Sequence, residues 1–361
     1  MKIAIIGANG FIGTRLVEVW HLGGRHAVVP VVRRVSGLAL VARFALDWRI
    51  GDALDGASLT RALAGCDAVV HAALGDTRQI EAMPAILCAA AAAARVRRVV
   101  YLSSAAVHGQ APAAGTTEDA PLHGHHPLAY NNARVRAERA FFRGCRRHGL
   151  AGFALRPGVV YGPRSRWIAD LAADLRQRQA WLLGDGFGIC NCIYVDNLVE
   201  AIDLSLTAPA DAAGAYLVGD AERVTWAALY HSVAAALNID PATIHRVDAL
   251  PHFRRTAQQR IARLVASRAV QALLPAIPAR LKHLGKRCLA ACSAPAAAAD
   301  SWQIAAAPAP RITQELALLQ QCQWQLPSAR AAERLGYRPP VDYATAIRRS
   351  LAWLAFAEGQ S

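Results

Sequence analysis

Residues 3–20 read Ile3-Ala4-Ile5-Ile6-Gly7-Ala8-Asn9-Gly10-Phe11-Ile12-Gly13-Thr14-Arg15-Leu16-Val17-Glu18-Val19-Trp20. The first four residues form a short apolar run that suits a buried strand, and Thr14 to Trp20 have a helical pattern. Between them stand three glycines at three-residue intervals. Strand, glycine turn and helix in that order make a phosphate cradle: Gly7 permits the tight turn, Gly10 lets the backbone approach a pyrophosphate, and Gly13 lets the helix pack close, with amide N–H groups at the helix start facing negative charge. Gly7, Asn9, Gly10, Phe11, Ile12 and Gly13 are therefore expected to bind a dinucleotide. An ordinary glycine-rich turn could carry the same triplet, and its position after the first strand is what favours the dinucleotide.

Outward from this stretch, His26 to Val32 reads as a second strand, Gly51-Asp52 as the end of a third, Asp67 to Ala73 as a fourth and Val99 to Ser104 as a fifth. Helical patterns separate them, as an α/β fold with a Rossmann-type, doubly wound parallel sheet requires. Residues 1–165 are expected to be mainly the dinucleotide-binding domain. Residues 166–361 are expected to be mainly a smaller C-terminal substrate-binding lobe, with 190–205 returning to the core. At the end of the second strand, an acidic residue would select NAD by binding the ribose 2′-hydroxyl, but the chain carries Arg33-Arg34, which can clamp a 2′-phosphate. NADP is thus preferred over NAD, unless both arginines are solvated strand ends.

The chain has 361 residues, 54% of them hydrophobic, enough for one large α/β domain with a buried core. The formal charge of +14 comes mostly from arginines spread along the chain, with no stacking-aromatic or recognition module beside them, so no nucleic-acid partner is expected. The eight cysteines are scattered, and neither Cys190-Asn191-Cys192 nor Cys288 with Cys292 has the C-x-x-C spacing of a zinc site; no metal is expected. With a start at Met1-Lys2 that runs straight into a strand, this points to a reducing cytoplasm. No apolar run reaches the roughly 20 residues of a membrane span. Met83 to Ala94 reads as a buried helix, and His123, His125 and His126 as a polar loop before the next one.

Ser104 ends the fifth strand, and Tyr130 precedes Arg134 by one helical turn, so that both face the same way. A serine hydroxyl, a tyrosine hydroxyl and a cation can move a proton while hydride moves at the neighbouring carbon. A free phenol ionises near pH ~10, too high for a base at neutral pH. A positive charge about 4 Å away, at an effective dielectric near 20, favours the phenolate by roughly 4 kcal/mol.

Several stretches now carry a resemblance: the G-x-x-G-x-x-G spacing of 7–13, Tyr101 to Gly109 (YLSSAAVHG), Tyr130 with Arg134, Leu155 to Arg164 (LRPGVVYGPR), Gly184-Asp185-Gly186 followed by Cys192 to Asn197 (CIYVDN), and Arg334 to Pro339 (RLGYRP). Over about 1–250 and 330–356 the chain resembles the extended branch of the short-chain dehydrogenase/reductase superfamily, which includes NAD(P)-dependent epimerases and dehydratases of nucleotide sugars and the 3β-hydroxysteroid dehydrogenases. The resemblance implies that Ser104 orients the substrate oxygen, Tyr130 exchanges the proton and Arg134 stands where the family carries lysine. It implies that Asp52 meets the adenine edge, that Ala72 and Ala73 line the pyrophosphate and nicotinamide path, and that Pro157 to Val160 hold the nicotinamide carboxamide. Tyr130 and Arg134 would also touch the cofactor.

The activity so implied is hydride transfer at a secondary alcohol or ketone of a small-molecule substrate, either a nucleotide sugar or a hydroxysteroid-like body. The alternative is a catalytically impaired NADP-binding regulatory or scaffold protein. Nucleotide-sugar enzymes usually carry an asparagine where Val159 stands, and valine cannot donate that hydrogen bond, which leans toward the hydroxysteroid side. Arg164 and Arg166 pull toward a phosphorylated substrate. An insertion at about 251–310 fits neither pattern. Its basic amphipathic segment, 257–292, could lie on a membrane surface, cover the substrate cleft or pack on a second subunit in a homodimer.

Overall fold

The computed structural model describes residues 1–253, 308–357 and 359. The segment 257–292, with the membrane and subunit contacts expected of it, and Cys288 and Cys292 lie outside the described residues. Residues 1–248 and 310–361 form one compact unit and 249–309 another. Every strand and helix described belongs to the first unit.

Eleven strands are described: β1 (Lys2–Ile6), β2 (Ala27–Val32), β3 (Arg49–Ile50), β4 (Ala68–His71), β5 (Arg98–Leu102), β6 (Ala151–Pro157), β7 (Val159–Tyr161), β8 (Trp181–Leu183), β9 (Cys192–Tyr194), β10 (Gly214–Val218) and β11 (His245–Val247). Seven of them form one parallel sheet in the order β10-β6-β5-β4-β1-β2-β3, with Ile3 opposite both Val28 and Ala68. Ten α-helices are described: α1 (Phe11–Leu22), α2 (Gly56–Leu63), α3 (Thr77–Ala93), α4 (Ala129–His148), α5 (Arg166–Arg176), α6 (Val195–Thr207), α7 (Trp226–Ala236), α8 (Gln314–Gln320), α9 (Ala329–Leu335) and α10 (Tyr343–Ala357).

Side chains alternate across a strand, so an apolar run with helices on both sides feeds two cores. Ile3, Ile5, Val70 and Val100 meet Leu16 and Trp20 of α1, Leu198 and Ile202 of α6 and Leu335 of α9 on one face. Ala4, Ile6, Val69 and Val99 meet Leu63 of α2, Leu87 of α3 and Phe141 of α4 on the other. The helix expected over Met83 to Ala94 is the later part of α3, with Ala94 as its C-cap, and the start of α3 is fixed by a capping box: Asp76 accepts from the N–H of Arg78 and Gln79 at 2.9 Å, and the Gln79 side chain accepts from Asp76 N–H at 3.1 Å.

The chain begins at the centre of the sheet, runs outward through β2 and β3 and returns to β4 on the other side of β1. A crevice opens where the order reverses, at the carboxyl ends of β1 and β4. The fifth strand stops at Leu102, short of the expected Ser104, because Ser103 and Ser104 leave the ladder: Ser104 Oγ accepts from Ala106 N–H at 3.2 Å and starts the short turn 105–108.

Past β6, the pairs β7·β9 and β8·β11 and helices α5, α7, α8 and α10 surround a third core that includes Ile168, Leu171, Trp226, Tyr230 and Leu354. The stretch 192–197 ties this region inward. Asn197 Nδ2 donates to Asp220 Oδ1 at 2.7 Å and to Val341 O at 2.8 Å, and Asp196 takes a two-armed grip from Arg15 of α1 at 2.6 and 2.9 Å. Among the described residues no helix is long and apolar enough to cross a membrane, and no group of three or more His, Cys, Asp or Glu could hold a metal ion.

Candidate active site

A cleft of about 530 Å³ opens at the β1/β4 crevice, within the size range of cofactor sites. Gly7, Asn9, Gly10, Phe11, Ile12, Arg33, Asp52, Ala72, Ala73, Tyr130, Arg134, Pro157 and Val160 all line it. Gly13 and Arg34 do not. Gly13 acts one layer back: a Cβ there would stand 2.1 Å from the Gly7 carbonyl oxygen, so only glycine lets α1 sit this close to the turn. Gly7 has φ +83°, and a Cβ on it would lie 2.7 Å from Ala73 N, at the wall of the cleft. Arg34 is exposed just before the turn 35–38. The first N–H groups of α1 have no partner within the helix. A pyrophosphate between them and Ala73 would supply one, so the residues present fit a dinucleotide.

At the inner end of the cleft, Arg134 is buried, 7% exposed, and points inward. Its Nε donates to Tyr130 Oη at 2.9 Å and its Nη1 to Leu102 O at 3.1 Å. No carboxylate pairs with it among the described residues. Its other charged-group candidate is His71, whose imidazole is fully buried and pushed down to about 4 by burial and then by the Arg134 charge, hence neutral at pH 7. The guanidinium charge is therefore felt by the Tyr130 oxygen, by the buried Tyr101 hydroxyl and by whatever enters the cleft. Asn131, next in sequence, is buried with its Oδ1 unpartnered.

Ser104 and Tyr130 also line a second cleft, of about 620 Å³, that continues away from the first. Its walls include Val159, Leu171, Ile189, Leu229, Leu316 and Leu319, with Trp167, Trp226 and Tyr230 as large aromatic surfaces; the Trp167 and Trp226 rings are 6.4 Å apart. Among the charges at this cleft, Arg311 pairs with Asp174 at 3.3 Å and Arg166, largely solvent-exposed, lies 4.0 Å from Asp170, while the Glu315 carboxyl meets, among the described residues, only Gln110 Nε2, at 3.4 Å, and is pushed up by burial. Arg164 lines neither cleft and donates to the buried Glu18 at 2.8 Å, alongside Arg15 and Arg43. The loop of His123, His125 and His126 is anchored by His126, whose N–H donates to Asn132 Oδ1 at 2.7 Å and whose Nε2 lies 3.1 Å from Val107 O.

Sequence reading missed the aromatic wall. Trp226 and Tyr230 are spaced by one helical turn, a pattern that marks a core helix, and both are indeed nearly buried, with only the fold showing that they also line the cleft of Ser104 and Tyr130. Ser103, Glu138 and Arg156, which form a buried cluster behind the site, were likewise not singled out.

Residues 3–219 match the family model described as the NAD dependent epimerase/dehydratase family, and the chain belongs to that family, within the extended short-chain dehydrogenase/reductases. The chain is similar to the 2-alkyl-3-oxoalkanoate reductase of Stenotrophomonas maltophilia, 29% identical over 280 residues covering 69% of this chain and 82% of that one. It is also similar to the UDP-glucose 4-epimerase of Mycolicibacterium smegmatis, 28% identical over 264 residues covering 66% and 83%. Among solved structures, the dTDP-glucose 4,6-dehydratase of Streptomyces venezuelae with NAD bound matches in fold, with a TM-score of 0.69 at 21% identity over 99% of this chain and 98% of that one.

Proposed function

We propose that this protein is an NAD(P)-dependent oxidoreductase that transfers hydride at a secondary alcohol or ketone carried on a largely apolar body. The observation that carries the catalytic part is the Arg134 Nε to Tyr130 Oη hydrogen bond of 2.9 Å at the junction of two clefts, with Ser104 beside both. The nicotinamide, when bound, accepts or gives the hydride. Tyr130 gives or takes the proton on the substrate oxygen, Ser104 holds that oxygen, and the guanidinium stabilises negative charge on the phenolic oxygen as it develops. Tyr130 and Arg134 would also reach the ribose, and the backbone from Pro157 to Val160 would hold the carboxamide. Arg33, on the cleft wall and exposed, favours NADP through a charge-assisted bond to its 2′-phosphate.

For the substrate, the aromatic and aliphatic walls of the second cleft and Val159 at its inner end support an apolar skeleton. A nucleoside diphosphate needs unmatched cations, whereas Arg311 is already paired with Asp174 and the cleft wall adds the carboxyl of Glu315. The nucleotide-sugar reading keeps one support, the exposed guanidinium of Arg166. A turnover panel separates them: 3-oxoacyl and 3-ketosteroid compounds on one side, UDP- and dTDP-hexoses on the other, each with NADPH or NADH or their oxidised forms. Turnover of the first group alone is the expected result. Turnover of a sugar nucleotide alone would overturn the substrate assignment, and cofactor binding without turnover of any member would return the protein to a regulatory NADP binder.

A further inference from the structure

Glu138 lies on α4 eight residues after Tyr130 and four after Arg134, so the three share one helix face. Its side chain is 2% exposed and is gripped in two-armed fashion by Arg156, itself 4% exposed: Nη2 donates to Oε1 at 2.5 Å and Nε to Oε2 at 3.0 Å. Ser103 Oγ–H donates to the same Oε2 at 2.6 Å. The remaining arm of Arg156, Nη1, donates to Glu118 O at 3.0 Å and meets His108 Nε2 at 3.1 Å. Burial, and then the Arg156 charge, pushes the His108 imidazole down to about 4, so that it is neutral at pH 7 and free to accept.

The anchors of this cluster are the neighbours of the site. Ser103 precedes Ser104, Arg156 precedes Pro157, and Glu138 shares α4 with Tyr130. Neither Glu138 nor Arg156 lines either cleft, whereas Ser103 lines the first beside Ser104. A buried ion pair is weak evidence of stabilisation, because well-packed apolar residues often do as well or better in the same space. What the pair provides that an apolar pair cannot is a fixed, directional connection among two strand ends and a helix.

We propose that Glu138 and Arg156, with the Ser103 hydroxyl, are positioning residues that set the ends of β5 and β6 and the start of α4 in register, so that Ser104, Tyr130 and the backbone at Pro157 meet one reacting carbon. The proposal rests on the oxidoreductase function. Misplacement of reacting groups by about 1 Å costs up to about 100-fold in rate, while the phosphate cradle on β1 and α1 and the wall at Arg33, which hold the other end of the dinucleotide, make no contact with the cluster's side chains.

The test uses the full chain with Ser103→Ala, which removes one hydrogen bond, Glu138→Asp, which keeps the charge and shortens its reach, and Glu138→Gln. Thermal unfolding, NADPH affinity, the emission of bound NADPH, kcat and KM are measured for each. Ser103→Ala and Glu138→Asp are expected to fold and to bind NADPH within about threefold of wild type, with kcat down about tenfold or more, KM nearly unchanged and the bound emission shifted. Glu138→Gln is expected to fall further, with Glu138→Asp as its partial rescue. Two results overturn the proposal: kcat within about twofold of wild type in both Ser103→Ala and Glu138→Asp, or kcat, affinity and thermal stability declining together as a purely structural role requires. Should the wild type bind NADPH yet turn over no carbonyl or alcohol, it is the function reading that fails. The emission of bound NADPH then decides the positioning role alone: shifted in both variants it stands, unchanged in both it falls.

Discussion

Replacing Arg134 by Met removes the charge that bears on Tyr130 while filling much of the same volume. The guanidinium donates to the phenolic oxygen at 2.9 Å from a buried position with no paired carboxylate among the described residues. A unit charge about 4 Å from the oxygen, at an effective dielectric near 20, is worth roughly 4 kcal/mol against a full negative charge. Half a charge in the transition state brings this to about 2 kcal/mol. At about 1.4 kcal/mol per tenfold, kcat/KM should fall between about 30-fold and about 1000-fold. The structural side effect is read separately in the melt: Leu102 O loses one donor, worth about 1 kcal/mol of stability, and the buried Tyr101 hydroxyl loses its guanidinium neighbour. Arg134→Lys keeps the charge and enough donors for both oxygens, so it should stay within about tenfold of wild type. The assay is dihydronicotinamide consumption with the best substrate from the panel, beside a thermal melt. A well-folded Arg134→Met protein within about threefold of wild type would refute the electrostatic role.

Gly13→Ala should lower both thermal stability and cofactor affinity: its Cβ would stand 2.1 Å from Gly7 O, a backbone atom that cannot yield, and the overpacking cost of about 1–3 kcal/mol exceeds the roughly 1 kcal/mol of helix propensity gained. A melt and an NADPH titration check it, and a stabilised variant would contradict the close packing of α1 on the turn. Arg33→Ala should weaken NADPH binding by about 10- to 150-fold and leave NADH nearly unchanged, a charge-assisted contact being worth about 1.5–3 kcal/mol; equal losses for both, or none, would remove the NADP preference. Below its ordinary value of 6.5 the His71 imidazole takes up a proton only when unfolded, and the native form follows at about 4, so His71 makes the protein less stable as pH falls across that window, by about 3 kcal/mol in full. Asp220, raised to about 6 by burial, acts in the opposite sense as pH falls, so the His71 share is read as a difference: denaturant melts of wild type and His71→Phe should diverge in favour of the variant as pH drops from 7 to 4. Parallel curves would show that His71 is not held neutral. The variant loses no hydrogen bond, since neither ring nitrogen has a partner.

The glycine turn and the cleft beside it were readable from sequence because their requirements are local. A turn that needs φ +83° and a helix that must approach to contact leave glycine at 7 and 13, within one short stretch. Tyr130 and Arg134 were readable as a pair because helical spacing puts them on one face, and Ser104 because it follows the apolar run of β5, two residues past the strand's end. What sequence could not supply was direction. Arg164 and Arg166 look alike in the chain, yet one is spent on a buried Glu18 and the other stands exposed at the cleft. The aromatic wall draws on α5 and α7, brought together by packing across some 60 residues of sequence, and Glu138 with Arg156 looks like two ordinary charges until the fold buries them against each other.

Most direct of all is the fate of the hydride. With dihydronicotinamide carrying deuterium at its transferable C4 position and the panel ketone that the wild type reduces, the account predicts deuterium on the product carbinol carbon, from one face of the ring only, with the rate lost by about 100-fold or more in Tyr130→Phe. Product that forms without the label, or forms as fast in Tyr130→Phe, would contradict a reaction centred on Ser104, Tyr130 and Arg134.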